Sequence, residues 1–209
     1  MHFGVDEAGK GPVLGSMFAA CVRGNREDLP DGVADSKRLS PTRREALDTA
    51  IRDACDVGVA EIPVASIDGE EDMNTLTVRA HAEAINAGAR DGDTGLCDAG
   101  DTSESRFARR VADSCERAVE VDARHRADED NSLVAAGSII AKVARDDHVA
   151  SLAETYGAVG SGYPSDSATR EFLREYVSEH GELPDCARAS WKTSEDVLAA
   201  AEQSALDYF

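Results

Sequence analysis

The feature that most constrains this chain is its opening, where the apolar strand Phe3 to Asp6 runs into Asp6-Glu7-Ala8-Gly9-Lys10-Gly11-Pro12. Two adjacent carboxylates close a segment that must be buried, and a glycine turn follows. Side chains alternate faces along a strand, so both acids can serve one ligand only if the second has already entered the turn, which is where Glu7 is expected. Gly9 and Gly11 supply that turn and let the backbone approach a ligand closely, since neither carries a Cβ. Crowded carboxylates repel one another, and a hard divalent cation with oxygen ligands compensates them. The plain alternative is a solvated acidic turn. Gly4 to Lys10 also fits the first seven positions of the phosphate loop GxxxxGK[ST]. That reading is weaker: Gly11 stands where a magnesium-binding hydroxyl belongs, Pro12 has no amide proton, and Asp6 and Glu7 put negative charge where a triphosphate would lie.

Beyond the opening, periodicity predicts an α/β chain with no repeat and no low-complexity linker. Val13 to Val22 reads as a second strand, giving a hairpin start. Ser40-Pro41 opens a helix carrying Leu47, Ala50, Ile51 and Ala54, and Val57 to Val64 is a third strand. Leu76 to Ala89 and Ser103 to Cys115 read as helices, Leu96 to Ala99 and Ala118 to Ala123 as short strands. A long helix then runs from about Leu133 to Tyr156, followed by helices at Asp166 to His180 and Ser194 to Ala205. The expected architecture is a mixed sheet flanked by helices, with a catalytic core over residues 1–156 and a helical extension over 157–209 that completes the substrate site.

The charge balance bears on partners. Forty-one acids oppose 22 bases for a net charge of -19, and only four of the bases are lysines: Lys10, Lys37, Lys142 and Lys192. Dense carboxylates of this kind suit a protein working in concentrated salt, where screening shortens the Debye length to about 3 Å at 1 M. Salt also weakens counterion-release binding to phosphates, so a nucleic-acid enzyme with such a surface must lean on metals, backbone amides and shape. Each lysine falls inside a motif-like segment. Five scattered cysteines without a CxxC pair fit small buried residues rather than zinc or a disulfide framework. No stretch reaches the about 18 apolar residues of a membrane helix, so a cytoplasmic monomer with no membrane partner is expected.

Two more acids stand out by position. Asp98 ends the short strand at Leu96-Cys97, and Asp128 precedes the long helix, so four carboxylates from three segments could converge where α/β folds collect functional groups. Taken singly, either is more often a helix cap or a surface charge, and Asp101 and Asp130 are second-rank neighbours.

GVDEAGKGPVLG resembles the opening signature of ribonuclease HII, the type 2 ribonuclease H. Four later segments are similar to that family in the same order: DSKRLSP, CDAGDTSESRFA, HRADEDNSLVAAGSIIAKVARD and GSGYPSD. The resemblance implies a ribonuclease-H-like mixed sheet with a helical C-terminal extension, and catalytic, metal-ligating carboxylates at Asp6, Glu7, Asp98 and Asp128. It implies hydrolysis with Mg2+ or Mn2+ of the phosphodiester 5′ to a ribonucleotide, in an RNA/DNA hybrid or in DNA with embedded ribonucleotides, leaving a 3′ hydroxyl and a 5′ phosphate. Gly9, Lys10 and Gly11 are implied to read the ribose, with Tyr163 against the sugar and Lys37 and Lys142 toward phosphates. Lys10 departs from the arginine usual in the family, which keeps a backbone contact but loses any bidentate guanidinium contact. The C-terminal Gln203, Leu206 and Phe209 resemble the peptide by which replication proteins dock on a sliding clamp; packing back on the domain is the alternative. Two other functions stay open from the residues alone: another metal nuclease on the same fold acting on damaged or branched DNA, and a noncatalytic or nucleotide-binding module.

Overall fold

The computed structural model describes residues 1–33 and 39–206. Lys37 and Phe209 therefore lie outside the described residues, as does most of the DSKRLSP segment. The chain parts into two compact units, the first made of Met1–Ala8, Met17–Ile62 and Asp72–Arg145, the second of Gly9–Ser16, Pro63–Glu71 and Asp146–Phe209.

The first unit holds a five-stranded mixed sheet. Its strands are β1 (His2–Ala8), β2 (Met17–Gly24), β3 (Asp56–Ile62), β4 (Thr94–Asp98) and β5 (Glu120–Arg124), in the order β3-β2-β1-β4-β5. β1 is central, antiparallel to β2 and parallel to β4. Its buried run Phe3-Gly4-Val5-Asp6 fits a strand covered on both faces. The helices are α1 (Pro41–Ala54), α2 (Val64–Ile67), α3 (Met73–Gly88), α4 (Glu104–Ser114), α5 (Ala127–Asp130), α6 (Ser132–Tyr156), α7 (Ser167–His180) and α8 (Lys192–Leu206).

One face of the sheet is covered by α1 and α6, where Ala20 and Val22 join Leu47, Ile51, Ala136, Ile139 and Ile140 in one apolar cluster. The approach of α6 is set by two glycines. A Cβ on Gly4 would fall 2.2 Å from the Val134 nitrogen, and one on Gly137 would fall 2.8 Å from the Ala20 carbonyl oxygen. Backbone against backbone in this way brings the residues after Gly137 close to the end of β1. The opposite face is covered by α3 and α4, which bury Leu76, Ala84, Ile85, Phe107 and Val111.

Helix starts follow the side chains at their caps. Ser40, Asp72 and Ser103 each accept the amide three residues on, and Pro41 takes the first helical position. In the second unit Asp166 caps α7 on Ala168, and Gly181 stops it in the left-handed conformation with φ 77°. There Val13, Leu14, Val159, Phe172, Leu173, Val177 and Ala187 form the apolar core. Val13 to Ser16 is loop rather than strand, because the Val13 and Leu14 amides bond the Gly162 carbonyl instead of a sheet neighbour. All five cysteines are free thiols; Cys21, Cys97 and Cys186 are buried as expected, while Cys55 and Cys115 are half-buried. Among the described residues no helix is long and apolar enough to cross a membrane.

Candidate active site

The acid pair sits at the carboxyl end of the central strand, but not as strand alternation and a turn would arrange it. β1 continues to Ala8, pairing Glu7 with Ala19, so Glu7 is still in the strand and has not entered the turn. The two carboxylates consequently leave opposite faces of the sheet. Asp6 faces α6, where its carboxylate is hydrogen-bonded by the Ser138 side chain and by the Glu7 amide at 2.7 Å. The Lys142 ammonium in turn donates to the Ser138 hydroxyl at 2.8 Å, so the lysine expected on the phosphate side bears on Asp6 through one hydroxyl. Glu7 faces α3, where its Oε2 lies 2.7 Å from His81 Nε2.

Asp98 is brought to Asp6 by register. Val5 pairs with Cys97 in the parallel ladder, so Asp6 and Asp98, each the next residue, share a face at the carboxyl ends of neighbouring strands. Asp128 is brought to Asp98 by a hydrogen bond: the Ala127 amide, at the start of the single-turn α5, donates to Asp98 Oδ1 at 2.7 Å. The second-rank acids are otherwise occupied or placed. Asp101 is gripped by both ends of the Arg106 guanidinium, at 2.5 and 3.0 Å, which holds its carboxyl down at about 2. Asp130 is exposed, whereas Asp128 is buried.

Asp6 is repelled by Glu7 and Asp98, and Asp98 by Glu7 and Asp128. Burial pushes the Asp6 carboxyl well up, with Glu7 and Asp98 adding repulsion that the Ser138 and Glu7 hydrogen bonds only partly offset. Burial likewise raises Asp98, with Glu7 and Asp128 adding to it against the Ala127 amide and His81. Carboxylates stripped of water and crowded by like charge are stabilised by a hard cation, and the donors here are all oxygens, so the set suits Mg2+ or Mn2+ better than a soft metal. Among the described residues no group of three or more His, Cys, Asp or Glu side chains stands close enough together to hold a metal ion as it is.

The glycine turn belongs to the second unit. Gly9 has φ 95°, a conformation that only glycine adopts readily, and Gly11 is exposed. A Cβ on Gly11 would lie 3.8 Å from the Tyr163 ring, so the turn and the GSGYPSD loop are neighbours, joined also by the Val13 and Leu14 bonds to Gly162. Tyr163 is 37% exposed, a large ring left open beside the turn. Asp166 holds that loop by accepting the Ser161 amide at 2.7 Å.

Three residues were not singled out by sequence reasoning. His81 is fully buried, its ring edge-on to Phe107 at 5.1 Å, and its Nδ1 has no hydrogen-bond partner among the described residues. Ser138 stands one residue after Gly137 and is fully buried within α6. Arg188 is fully buried in the second unit and its guanidinium takes the carbonyls of Gly9, Lys10 and Gly15. A polar residue inside an otherwise apolar stripe was the available signal for His81 and Ser138. For Arg188 no local pattern existed. Lys192 pairs with Asp196 on the surface of α8, and Gln203 is exposed near the end of that helix.

The ribonuclease HII sequence profile matches residues 3–194. A ribonuclease HII of Haloarcula marismortui is 64% identical over 211 residues, covering all of both chains. Among solved structures, the ribonuclease H2 of Pyrococcus horikoshii superposes with a TM-score of 0.90 at 36% identity, over 97% of this chain and 99% of that one. The ribonuclease HII in a PCNA complex from Archaeoglobus fulgidus does so with a TM-score of 0.84 at 37% identity, over 94% and 96%. The central acid-bearing strand, the helices on both faces and these matches from end to end agree: the chain belongs to the ribonuclease HII family, hydrolases with endonucleolytic ribonuclease H activity, and resembles its salt-loving archaeal members.

Proposed function

We propose that this chain hydrolyses the phosphodiester on the 5′ side of a ribonucleotide, in RNA/DNA hybrids and in duplex DNA with embedded ribonucleotides, leaving a 3′ hydroxyl and a 5′ phosphate. The observation that carries the reading is geometric: Asp6 and Asp98 share a face at the carboxyl ends of β1 and β4, Glu7 adjoins Asp6, and the Ala127 amide beside Asp128 is bonded to Asp98. Those four would hold Mg2+ or Mn2+, which supplies the Lewis-acid charge that activates water and stabilises the departing oxyanion. The protein's own groups do the rest. Ser138, backed by Lys142, orients Asp6 and favours its ionised form. His81 fixes the rotamer of Glu7 from the other face. Gly9, Lys10 and Gly11 meet the 2′ hydroxyl, the one group that separates RNA from DNA at a single position, and Tyr163 packs on the sugar. Lys37 and Lys142 contribute positive charge toward phosphates. No Ser or Cys nucleophile is required.

A DNA duplex carrying one embedded ribonucleotide, incubated at high salt with Mg2+ or Mn2+, is expected to be nicked once on the 5′ side of that residue, while the all-DNA duplex stays whole. Equal cutting of both would replace this reading with a general metal nuclease. Asp6→Asn is expected to lower the rate at least about 10³-fold with the fold intact by circular dichroism, and a variant that keeps its activity removes Asp6 from the site.

Gln203, Leu206 and Phe209 at the C-terminus dock a sliding clamp in this reading, supported by the clamp complex of the Archaeoglobus relative. Deleting the last seven residues should abolish co-elution with the clamp from the same cell and leave nicking of short duplexes unchanged; undiminished co-elution would assign the contact elsewhere.

A further inference from the structure

Among the described residues Arg188 is the largest of the fully buried side chains, and none of its hydrogen bonds there goes to a carboxylate. In a chain with 41 acids, a cation sealed from water without a carboxylate in contact needs a reason, since burying charge is costly unless every donor is matched to geometry. Its Nη2 donates to the Gly9 carbonyl at 2.6 Å, Nη1 to the Lys10 carbonyl at 3.0 Å, and Nε to the Gly15 carbonyl at 2.9 Å. The residue itself is anchored: its amide donates to the Val13 carbonyl at 2.8 Å, and Trp191 lies under the guanidinium at 4.8 Å. The backbone that follows is pinned by Asp68, which accepts the Ala189 and Ser190 amides at 2.8 and 3.0 Å and gives the cation a nearby counter-charge.

The consequence follows from peptide geometry. A trans peptide is planar, so its C=O and N–H point in opposite directions. With the Gly9 carbonyl directed at Arg188, the Lys10 N–H is directed away from it. The Lys10 carbonyl is directed at Arg188 too, and so the Gly11 N–H is also directed away. Two successive amide donors are thereby turned away from Arg188, and hydrogen bonding of their carbonyls to a cation polarises both peptides and strengthens them as donors. Only a guanidinium can do this, because three nitrogens in a rigid plane reach three carbonyls at once, whereas an ammonium is a single point.

We propose that Arg188 is a positioning residue for ribose recognition: by holding the Gly9 and Lys10 carbonyls it presents the Lys10 and Gly11 amides as a fixed donor pair to the 2′ oxygen of the ribonucleotide. This rests on the reading in which the glycine turn meets the ribose.

Arg188→Lys keeps the charge and removes the fork. It is expected to raise KM for the ribonucleotide-bearing duplex about 10-fold or more, to change kcat less than about 3-fold, and to shrink the binding preference for that duplex over all-DNA. Mn2+ affinity by calorimetry should stay at the wild-type value, because the carboxylates belong to the other unit. In the wild type, with EDTA present to prevent cutting, the Lys10 and Gly11 amide resonances are expected to move on titration with the ribonucleotide-bearing duplex and to stay in place with all-DNA. A lysine variant with unchanged KM and preference overturns the proposal, and so does a variant that merely melts earlier without losing preference. If the variant fails to fold, the wild-type amides decide alone: selective cutting together with unmoved Lys10 and Gly11 amides refutes the proposal while leaving the cleavage reading intact. A wild type that cuts both duplexes equally refutes the cleavage reading itself.

Discussion

Asp6 and Arg188 are both nearly sealed from water, at 8% and 0% exposure, yet they are held in opposite ways. Asp6 is placed by a hydrogen-bonded ladder and crowded by like charge, whereas Arg188 is placed by a loop and surrounded by carbonyls that welcome it. The first arrangement stores repulsion that a cation releases, at the expense of stability. The second has its nitrogens hydrogen-bonded, although burial still pulls the guanidinium down to about 10, and it acts by holding a neighbour's backbone still. A strand gives a carboxylate its position through register alone, while a glycine turn, having no register, must borrow rigidity from a side chain elsewhere in its unit.

If the acid cluster is strained by its own charge, Asp6→Asn should lose activity yet melt at a higher temperature than the wild type when both are stripped of metal with EDTA. An unchanged or lower melting temperature would mean that the Ser138 and Glu7 hydrogen bonds already balance the repulsion. The next largest effect is expected at Gly4, where α6 touches β1 through backbone. Gly4→Ala forces its Cβ to 2.2 Å from the Val134 nitrogen and should cost about 1–3 kcal/mol in denaturant unfolding, together with a slower enzyme as Ser138 is lifted from Asp6. A fully stable, fully active Gly4→Ala would show that the helix can shift without consequence.

His81 tests whether the opposite face contributes equally. Its Nε2 meets the Glu7 carboxylate, while Nδ1 has no hydrogen-bond partner among the described residues. His81→Leu should weaken Mn2+ binding about 10–100-fold by calorimetry, as loss of an outer partner of a metal ligand commonly does, and His81→Gln should recover much of it. Equal affinities in all three proteins would reduce His81 to packing against Phe107.

The smallest effect belongs to a carboxylate of the ordinary paired kind. Burial alone would raise Asp93, but the Arg23 guanidinium, the Arg90 amide and the N-terminal ammonium outweigh it and hold the carboxyl well below the usual range. A carboxyl depressed in the folded state adds stability that is fully present above its unfolded value of about 4 and is lost as pH falls further. Asp93→Asn should therefore lower stability at pH 7 by about 1–2 kcal/mol and flatten the loss on acidification below about pH 4. A variant whose acid unfolding curve overlays the wild type would remove Asp93 from that account.

Much of this was legible in the sequence because local rules were not overridden. The caps at Ser40 and Ser103 and the stop at Gly181 came where side-chain chemistry puts them. The long helix ends at Tyr156 as its apolar spacing foretold. The strand at Val13 was overextended because Val13 and Leu14 have strand-like side chains, yet their amides are taken by Gly162, far along the chain. Glu7 was expected in the turn because a shared ligand seemed to require it; pairing with Ala19 keeps it in the ladder, and the ladder decides which way a side chain leaves.

By itself, then, the order of residues determined the strand that ends in two acids, the glycine turn behind it, the helix boundaries and the family signature, since each rests on neighbours within a few positions. Only tertiary structure decided that Asp6 leans on Ser138 and Lys142, that Glu7 leans on His81, and that Arg188 reaches back to Gly9. Those contacts join residues up to 179 positions apart, and nothing in a local pattern encodes which distant partner a side chain meets once helices and strands have packed.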